Sequence, residues 1–469
     1  MSLNEGLTSK TGAPRQADNV LKLRLKLSFD HVLCGTLWYA ETTMWGMRPL
    51  TEPASFDGAS LEKMLWALRD CSDLVALFGS GAQQEVGRYG LLALPESHHS
   101  WPKPLELRDI FSLQEGKLGL LGLSYEYGQG FNFLPEQSAP RDQPSAFLTL
   151  FDSALVLDFV EQTYVLVGEE GQRSDILWQA SQSQDVPRWA DSQGELVPQV
   201  SDKEHGRRIL RTQEHIRAGD IYQANITRRL ALEGQELDAL ALFCRLSQTN
   251  PVAHGAYLRL DGFEMLSNSM ETLLTYEPST REAASYPIKG TCARASGASE
   301  PANLALDEKE KAEHVMIVDL VRNDLGKVCQ SGTVSVPRLL GVDGFWGVWH
   351  GVSKVQGTLA ADKSPADLLA ALFPGGSITG APKRRAMQII AELEGEGRGF
   401  YTGSLALLKP DGSMSASILI RTLVKDNTGW NISVGGGIVA DSRPEREITE
   451  TWEKVGVFKR LLSQALDGA

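Results

Sequence analysis

Residues 254–269 read HGAYLRLDGFEMLSNS, two strand-like runs that turn at Asp261-Gly262. An Asp-Gly pair between such runs is a strong hairpin signal, because the tight turn that matches strand twist needs φ > 0 at both central residues. Outward from this hairpin the same pattern recurs. GFYTGSLALLKPDGSMSASILIRTLV (399–424) and WNISVGGGIVA (430–440) read as strands joined by Gly and Asp-Gly turns, and IYQANITRRLAL (221–232) reads as a further strand. Nearer the N-terminus, KLRLKLSF (22–29) and SALVLDFVEQTYVLVG (153–168) alternate or run apolar with β-branched residues, as strands do. Helical spacing appears in SLEKMLWALRDC (60–71), in DKEHGRRILRTQEHIRAGD (202–220), closed by Gly219, and in LDEKEKAEHVMIVDLVRNDLG (306–326). A closing helix is expected from about Pro444 to Leu466. Strand clusters interrupted by helices predict an α+β fold with sheets covered by helices on one face.

The polar stretch ASQSQDVPRWADSQGELVPQ (180–199) reads as a connector. It separates an N-terminal portion over 19–190 from a second portion over 200–469, and residues 1–18 read as a flexible tail. At 469 residues and 42% hydrophobic content the chain can bury a substantial core. Its formal charge of −13 argues against nucleic-acid and anionic-membrane partners, so an anionic substrate would need local cations. The five cysteines, Cys34, Cys71, Cys244, Cys292 and Cys329, form no CxxC pair, which fits a reducing compartment better than a disulfide scaffold or a zinc site. No apolar h-region opens the chain and no run approaches the length of a membrane span, so a cytoplasmic location is expected.

Several patterns carry chemistry. In REITETWEKV, Glu447, Glu450 and Lys454 fall at i, i+3 and i+7 and share one helix face. Glu310 and Glu313 repeat the i, i+3 spacing. Two such faces can supply carboxylates to Mg²⁺, or be solvated salt-bridging surfaces. FPGGSITGAPKRRAM (373–387) is a glycine-rich turn opening a helix, with Ser377 or Thr379 as candidate caps and backbone N–H groups able to cradle an anion. Arg421 sits in a strongly apolar strand, where a guanidinium needs a partner, a carboxylate being the obvious one. His350 is a proton-transfer candidate or a structural histidine. Lys289, in PIKGT, is a surface charge, an anion hook or a nucleophile.

Taken in order, GDIYQANITRR, SNSMETLL, PIKGT, EHVMIVDLVRNDLG, FPGGSITGAPKRRAM, YTGS, IRT, GGGIVADS and ETWEK resemble the chorismate-utilising enzymes, with GLLGLSYEYGQGF (119–131) a fainter match. That resemblance implies two antiparallel sheets packed as a sandwich with surrounding helices, the substrate chorismate, and Mg²⁺. Glu313 and Glu450 match the family's metal ligands and Glu447 its water-bridged carboxylate. Lys454 matches the cation facing the ring carboxylate, and Arg421 with Tyr401 the pair gripping the enolpyruvyl carboxylate. Glu271 matches the acid that helps the C4 hydroxyl leave. Gly435 and Gly437 supply close backbone, and Gly290, Thr291, Thr379 and His350 line the site, His350 as a catalytic candidate.

Within the family the nucleophile differs. Members that add water use a lysine base at the position of Gln223, and glutamine cannot serve as a base. Anthranilate synthase carries alanine where Lys289 stands; aminodeoxychorismate synthase carries PIKGT. The resemblance therefore implies that Lys289 attacks C2, with desolvation and cationic neighbours favouring the neutral amine, and that ammonia then adds at C4. The alternatives are an anthranilate synthase component I and a catalytically weak chorismate-binding subunit. Met270 and Thr272 depart from the usual SPERF, Gly351 stands where leucine is common, and Ser415 replaces a common aspartate. No Cys-His-Glu glutaminase region is present, so a separate glutamine amidotransferase subunit is the expected partner, delivering ammonia.

Overall fold

The structure is a computed structural model that describes residues 45–81, 86–114, 116–132, 134, 143–190, 193–234, 236–293, 308–345 and 348–463. The strand expected at 22–29, the tail over 1–18 and the end of the closing helix at Leu466 lie outside the described residues.

His254–Leu260 and Phe263–Ser269 form the expected hairpin, with Asp261 at φ 45° and Gly262 at φ 81° in the turn. Both faces of this hairpin are buried. Leu258, Leu260 and Met265 pack toward the second sheet, while Tyr257 and Leu266 pack toward helices. The hairpin is central to the larger sheet. From one edge its strands run Ala54–Ser55, Thr163–Gly168, Ser153–Asp158, Tyr89–Ala93, Leu74–Phe78, His254–Leu260, Phe263–Ser269, Thr422–Asp426, Gly429–Ile438, Gln223–Gly234 and Gly380–Ala381. The smaller sheet runs Ile288–Ala293, Val348–Thr358, Glu282–Tyr286, Thr272–Glu277, Met414–Ile418, Ser404–Leu408, Leu118–Leu123, Ala146–Phe151 and Ser97–Trp101, with Ser335–Phe345 also on Val348–Thr358.

Val75, Leu91 and Leu258 of the larger sheet meet Leu120, Phe147 and Leu405 of the smaller in a core between them. On its outer face the larger sheet packs against Gly58–Ala67, Ala239–Thr249 and Gly456–Ser463. The smaller sheet's outer face packs against Glu308–Gly326 and Pro365–Leu372. The described strands pair antiparallel throughout, so the α+β sandwich is as expected.

Three local expectations change. The connector contains an edge strand, Gly194–Pro198, paired with Gln223–Gly234; its polar flanks hide it in the sequence, while Leu196 packs into the core. The closing helix is two helices, Pro444–Lys454 and Gly456–Ser463, broken where buried Val455 turns out of helical geometry at φ −97°, ψ 3°. The helix Lys383–Glu394 begins at Pro382 with no side-chain cap, so neither Ser377 nor Thr379 caps it. Both lie instead in or beside a short 3-10 turn, Gly376–Ile378.

What positions the site is a double crossing. After Ser269 the chain leaves the larger sheet and enters the smaller at Thr272; after Ile418 it leaves the smaller and re-enters the larger at Thr422. The crossings lie side by side, joined by Ser269 Oγ to Ile418 O (2.6 Å), Ile418 N to Glu271 O (3.0 Å) and Asn268 N to Arg421 O (3.0 Å). Glu271 and Arg421 are the residues at these crossings.

Candidate active site

The helix Pro444–Lys454 lays its Glu447, Glu450 and Lys454 face on the strand Gly429–Ile438. A Cβ on Gly436 would lie 3.1 Å from Glu447 Oε2, 3.7 Å from Lys454 Nζ and 3.9 Å from Glu450 Oε1, so the missing side chain is what lets these groups approach the strand. Lys454 donates to Glu450 Oε1 and to the Gly435 carbonyl, each at 2.7 Å. Burial pushes the Glu450 carboxyl up, but the Lys454 ammonium beside it and the field of Lys289 outweigh burial and hold it below the usual range. Gly435 and Gly437 act differently from Gly436. A Cβ on Gly435 would lie 2.5 Å from the Ile226 carbonyl, and one on Gly437 would lie 2.7 Å from Gln223 Nε2, so both allow close packing with the neighbouring strand.

Lys289, on the strand Ile288–Ala293, donates to Glu313 Oε2 of the helix Glu308–Gly326 at 2.6 Å. Its side chain is 36% exposed. The desolvated amine expected from sequence is therefore an ion-paired one, because a carboxylate ligand candidate stands beside it. Glu271 is 8% exposed, and burial raises its carboxyl from 4.5 to about 7. Ser377 Oγ, donating to Glu271 Oε1 at 2.5 Å, and the Lys289 and Lys454 charges oppose that rise. At neutral pH Glu271 is thus divided between a proton donor and a carboxylate. The shared fields place Lys289, Lys454, Glu271, Glu313 and Glu450 in one cluster.

Among the described residues no carboxylate pairs with Arg421. Burial depresses its guanidinium, with no opposing charge among the described residues, and its backbone is left-handed at φ 51°. A partly buried cation with no counter-ion among the described residues, on left-handed backbone, is available to an incoming anion. The carboxylate partner anticipated from the apolar strand is not supplied by the described residues. Tyr401 is buried, with the next residue's Thr402 N donating to Leu419 O at 2.7 Å, and burial keeps the Tyr401 hydroxyl protonated.

The other candidates are placed less directly. His350 is buried on Val348–Thr358, opposite Thr291, and Gly290 lies in the same strand as Thr291. Thr379 is fully buried and its hydroxyl donates to the Gly375 carbonyl at 2.8 Å. Gln223 is buried with its Oε1 unpartnered. Sequence reading missed the contact of Ser377 with Glu271 and the role of Gly436; no spacing links a turn serine to an acid so far back in the chain. A cavity of about 430 Å³ opens elsewhere, between the sheets near Tyr89, His254 and Lys409, and none of these site residues lines it.

Among the described residues no three His, Cys, Asp or Glu groups stand close enough to cage a metal ion. The donors available are nonetheless hard carboxylate oxygens of the kind Mg²⁺ takes, with Glu447 and Glu450 together at Gly436 and Glu313 paired with Lys289, whose charge also acts on Glu450.

A carboxylate-and-lysine site at the junction of a two-sheet α+β sandwich defines a class, and the sequence comparison agrees: residues 79–460 match the chorismate binding enzyme family, and the chain belongs to it. It is 39% identical over 374 residues to aminodeoxychorismate synthase component 1 of Escherichia coli (strain K12), covering 77% of this chain and 79% of that protein. It is also 42% identical over 264 residues to anthranilate synthase component 1 of Geobacillus stearothermophilus, covering 55% of this chain and 51% of that protein. The fold is shared with anthranilate synthase component I from Streptococcus pneumoniae TIGR4, at a TM-score of 0.70 and 24% identity over 80% of this chain and 92% of that one. No described helix is long and apolar enough to cross a membrane.

Proposed function

We propose that this chain is the chorismate-aminating component of an aminodeoxychorismate synthase, converting chorismate and ammonia to 4-amino-4-deoxychorismate. The observation that carries the reading is the grouping of a lysine amine, Lys289, with a protonatable buried acid, Glu271, whose carboxyl is raised to about 7. The relative at 39% identity supports the choice of branch.

Arg421 and Tyr401 grip the enolpyruvyl carboxylate, which supplies the counter-ion that the described residues do not. Lys454 faces the ring carboxylate. Mg²⁺, held by Glu313 and Glu450 with Glu447 nearby, would add positive charge at that carboxylate. The Lys289 amine bonds to C2, the ring double bonds shift, the C4–O bond breaks, and Glu271 gives its proton to the departing hydroxyl, which leaves as water. Ammonia then bonds to C4 and the C2–N bond to Lys289 breaks, so the amino group ends para to the carboxyl and the lysine is regenerated. A glutamine amidotransferase subunit supplies the ammonia. Scattered cysteines with no CxxC pair, three of them free among the described residues, suit a cytoplasmic setting.

The test is incubation with chorismate, Mg²⁺ and ammonium, with products identified by liquid chromatography and mass spectrometry. Aminodeoxychorismate from the wild type, abolished in Lys289→Ala, is the expected result. Anthranilate plus pyruvate would reassign the chain to the anthranilate branch, and unchanged chorismate would leave it a binding subunit.

A further inference from the structure

One carboxylate of the site has two claims on it. Glu313 accepts Lys289 Nζ at 2.6 Å, and Glu313 is also a ligand in the metal assignment above. Glu450 is in the same position, holding Lys454 Nζ at 2.7 Å. The two lysines are not held alike. Lys454 has a second anchor, the Gly435 carbonyl at 2.7 Å, which is a neutral acceptor on a buried strand. Lys289 has Glu313 as its one hydrogen-bond partner among the described residues.

A divalent cation competes with an ammonium for the same lone pairs and repels it once bound. Seated on Glu313 and Glu450, it would strip both lysines of their carboxylates. Lys454 would stay on Gly435, whereas Lys289 has no second hydrogen-bond acceptor among the described residues. We propose that Lys289 and the metal are alternative partners of Glu313, so that metal loading releases the lysine toward the substrate. In the ion pair the nitrogen is engaged as a donor and is pointed at a carboxylate. Released, it remains within the field of Glu271, the residue that completes the displacement. The inference rests on the proposed metal assignment and adds an order to it: the cation first, then the free amine.

Calorimetric titration with Mg²⁺ tests this without turnover. Lys289→Met removes the competing charge at similar length, and is expected to bind Mg²⁺ about tenfold tighter than wild type, since a nearby like charge at partly buried distance is worth at least that. Lys289→Arg keeps the charge and should bind no tighter than wild type. Equal affinities in Lys289→Met and wild type would overturn the inference while leaving the metal assignment standing. No binding heat in any of the three proteins would overturn both. A crystal structure of the wild type with Mg²⁺ gives the answer without a variant: Lys289 Nζ should lie beyond hydrogen-bond reach of Glu313, and a retained pair with metal on that carboxylate would refute it.

Discussion

Replacing Glu271 with glutamine separates two quantities that usually fall together. The side chain is 8% exposed, and burial lifts its carboxyl from 4.5 to about 7, past the opposing Ser377 hydrogen bond and the lysine charges. Folded Glu271 holds its proton more tightly than the unfolded chain does. Its contribution to stability is therefore complete below about pH 4.5 and is lost as pH climbs through about 7. The difference is about 2.5 pH units, or about 3 kcal/mol at about 1.4 kcal/mol per unit. Glutamine has the same size, does not titrate, and can still accept the Ser377 hydroxyl. Measured by urea unfolding, Glu271→Gln should gain about 2–3 kcal/mol on wild type in going from pH 5 to pH 8. Its turnover of chorismate should fall by about 10²–10⁴-fold, the usual worth of a positioned proton donor. Wild-type turnover itself should decline above about pH 7, as the donor loses its proton. Parallel stability curves for the two proteins would show that the carboxyl carries no desolvation burden. Wild-type turnover in the glutamine variant would remove Glu271 from the chemistry.

Arg421→Met should weaken chorismate binding by about 10- to 100-fold, the value of a charge-assisted pair, yet raise the melting temperature because a partly buried cation with no counter-ion among the described residues is gone; titration calorimetry and a thermal melt check both, and unchanged affinity would refute the anion-pocket assignment. Ser377→Ala removes a hydrogen bond that favours the Glu271 carboxylate, so the alkaline fall in turnover should move to higher pH; a static or downward shift in the pH profile would contradict the contact. Gly436→Ala places a Cβ 3.1 Å from Glu447 Oε2 and should weaken Mg²⁺ binding in calorimetry, whereas Gly456→Ala, with nothing within 4 Å, should not.

The hairpin at 254–269 was legible because its turn chemistry is local: only residues tolerant of φ > 0 fit Asp261 and Gly262. The acidic helix face of Glu447, Glu450 and Lys454 was legible because helical spacing alone puts those residues together. Which sheet each strand joins was not, since alternating burial looks the same in either, and the crossings at Glu271 and Arg421 depend on that choice. Arg421 shows the limit most clearly. Its apolar surroundings indicated at least partial burial, but the inferred carboxylate partner does not come from the described residues, and spacing in a sequence cannot say where such a partner lies. The edge strand Gly194–Pro198 was hidden by polar composition, and the break at Val455 by a continuous helical pattern on both sides.

The sharing of both sheets by early and late strands bears on how the chain tolerates being cut. Leu74–Phe78 lies against His254–Leu260 in one sheet, and Leu118–Leu123 lies against Ser404–Leu408 in the other. A protease nick between residues 182 and 190, where the described chain has no helix or strand, would leave two fragments each carrying open strand edges in two different layers. Apart, such fragments would expose sticky edges and precipitate. Mixed, each offers the other two separate edges to complete, so a nicked molecule should run as one particle until denaturant parts it.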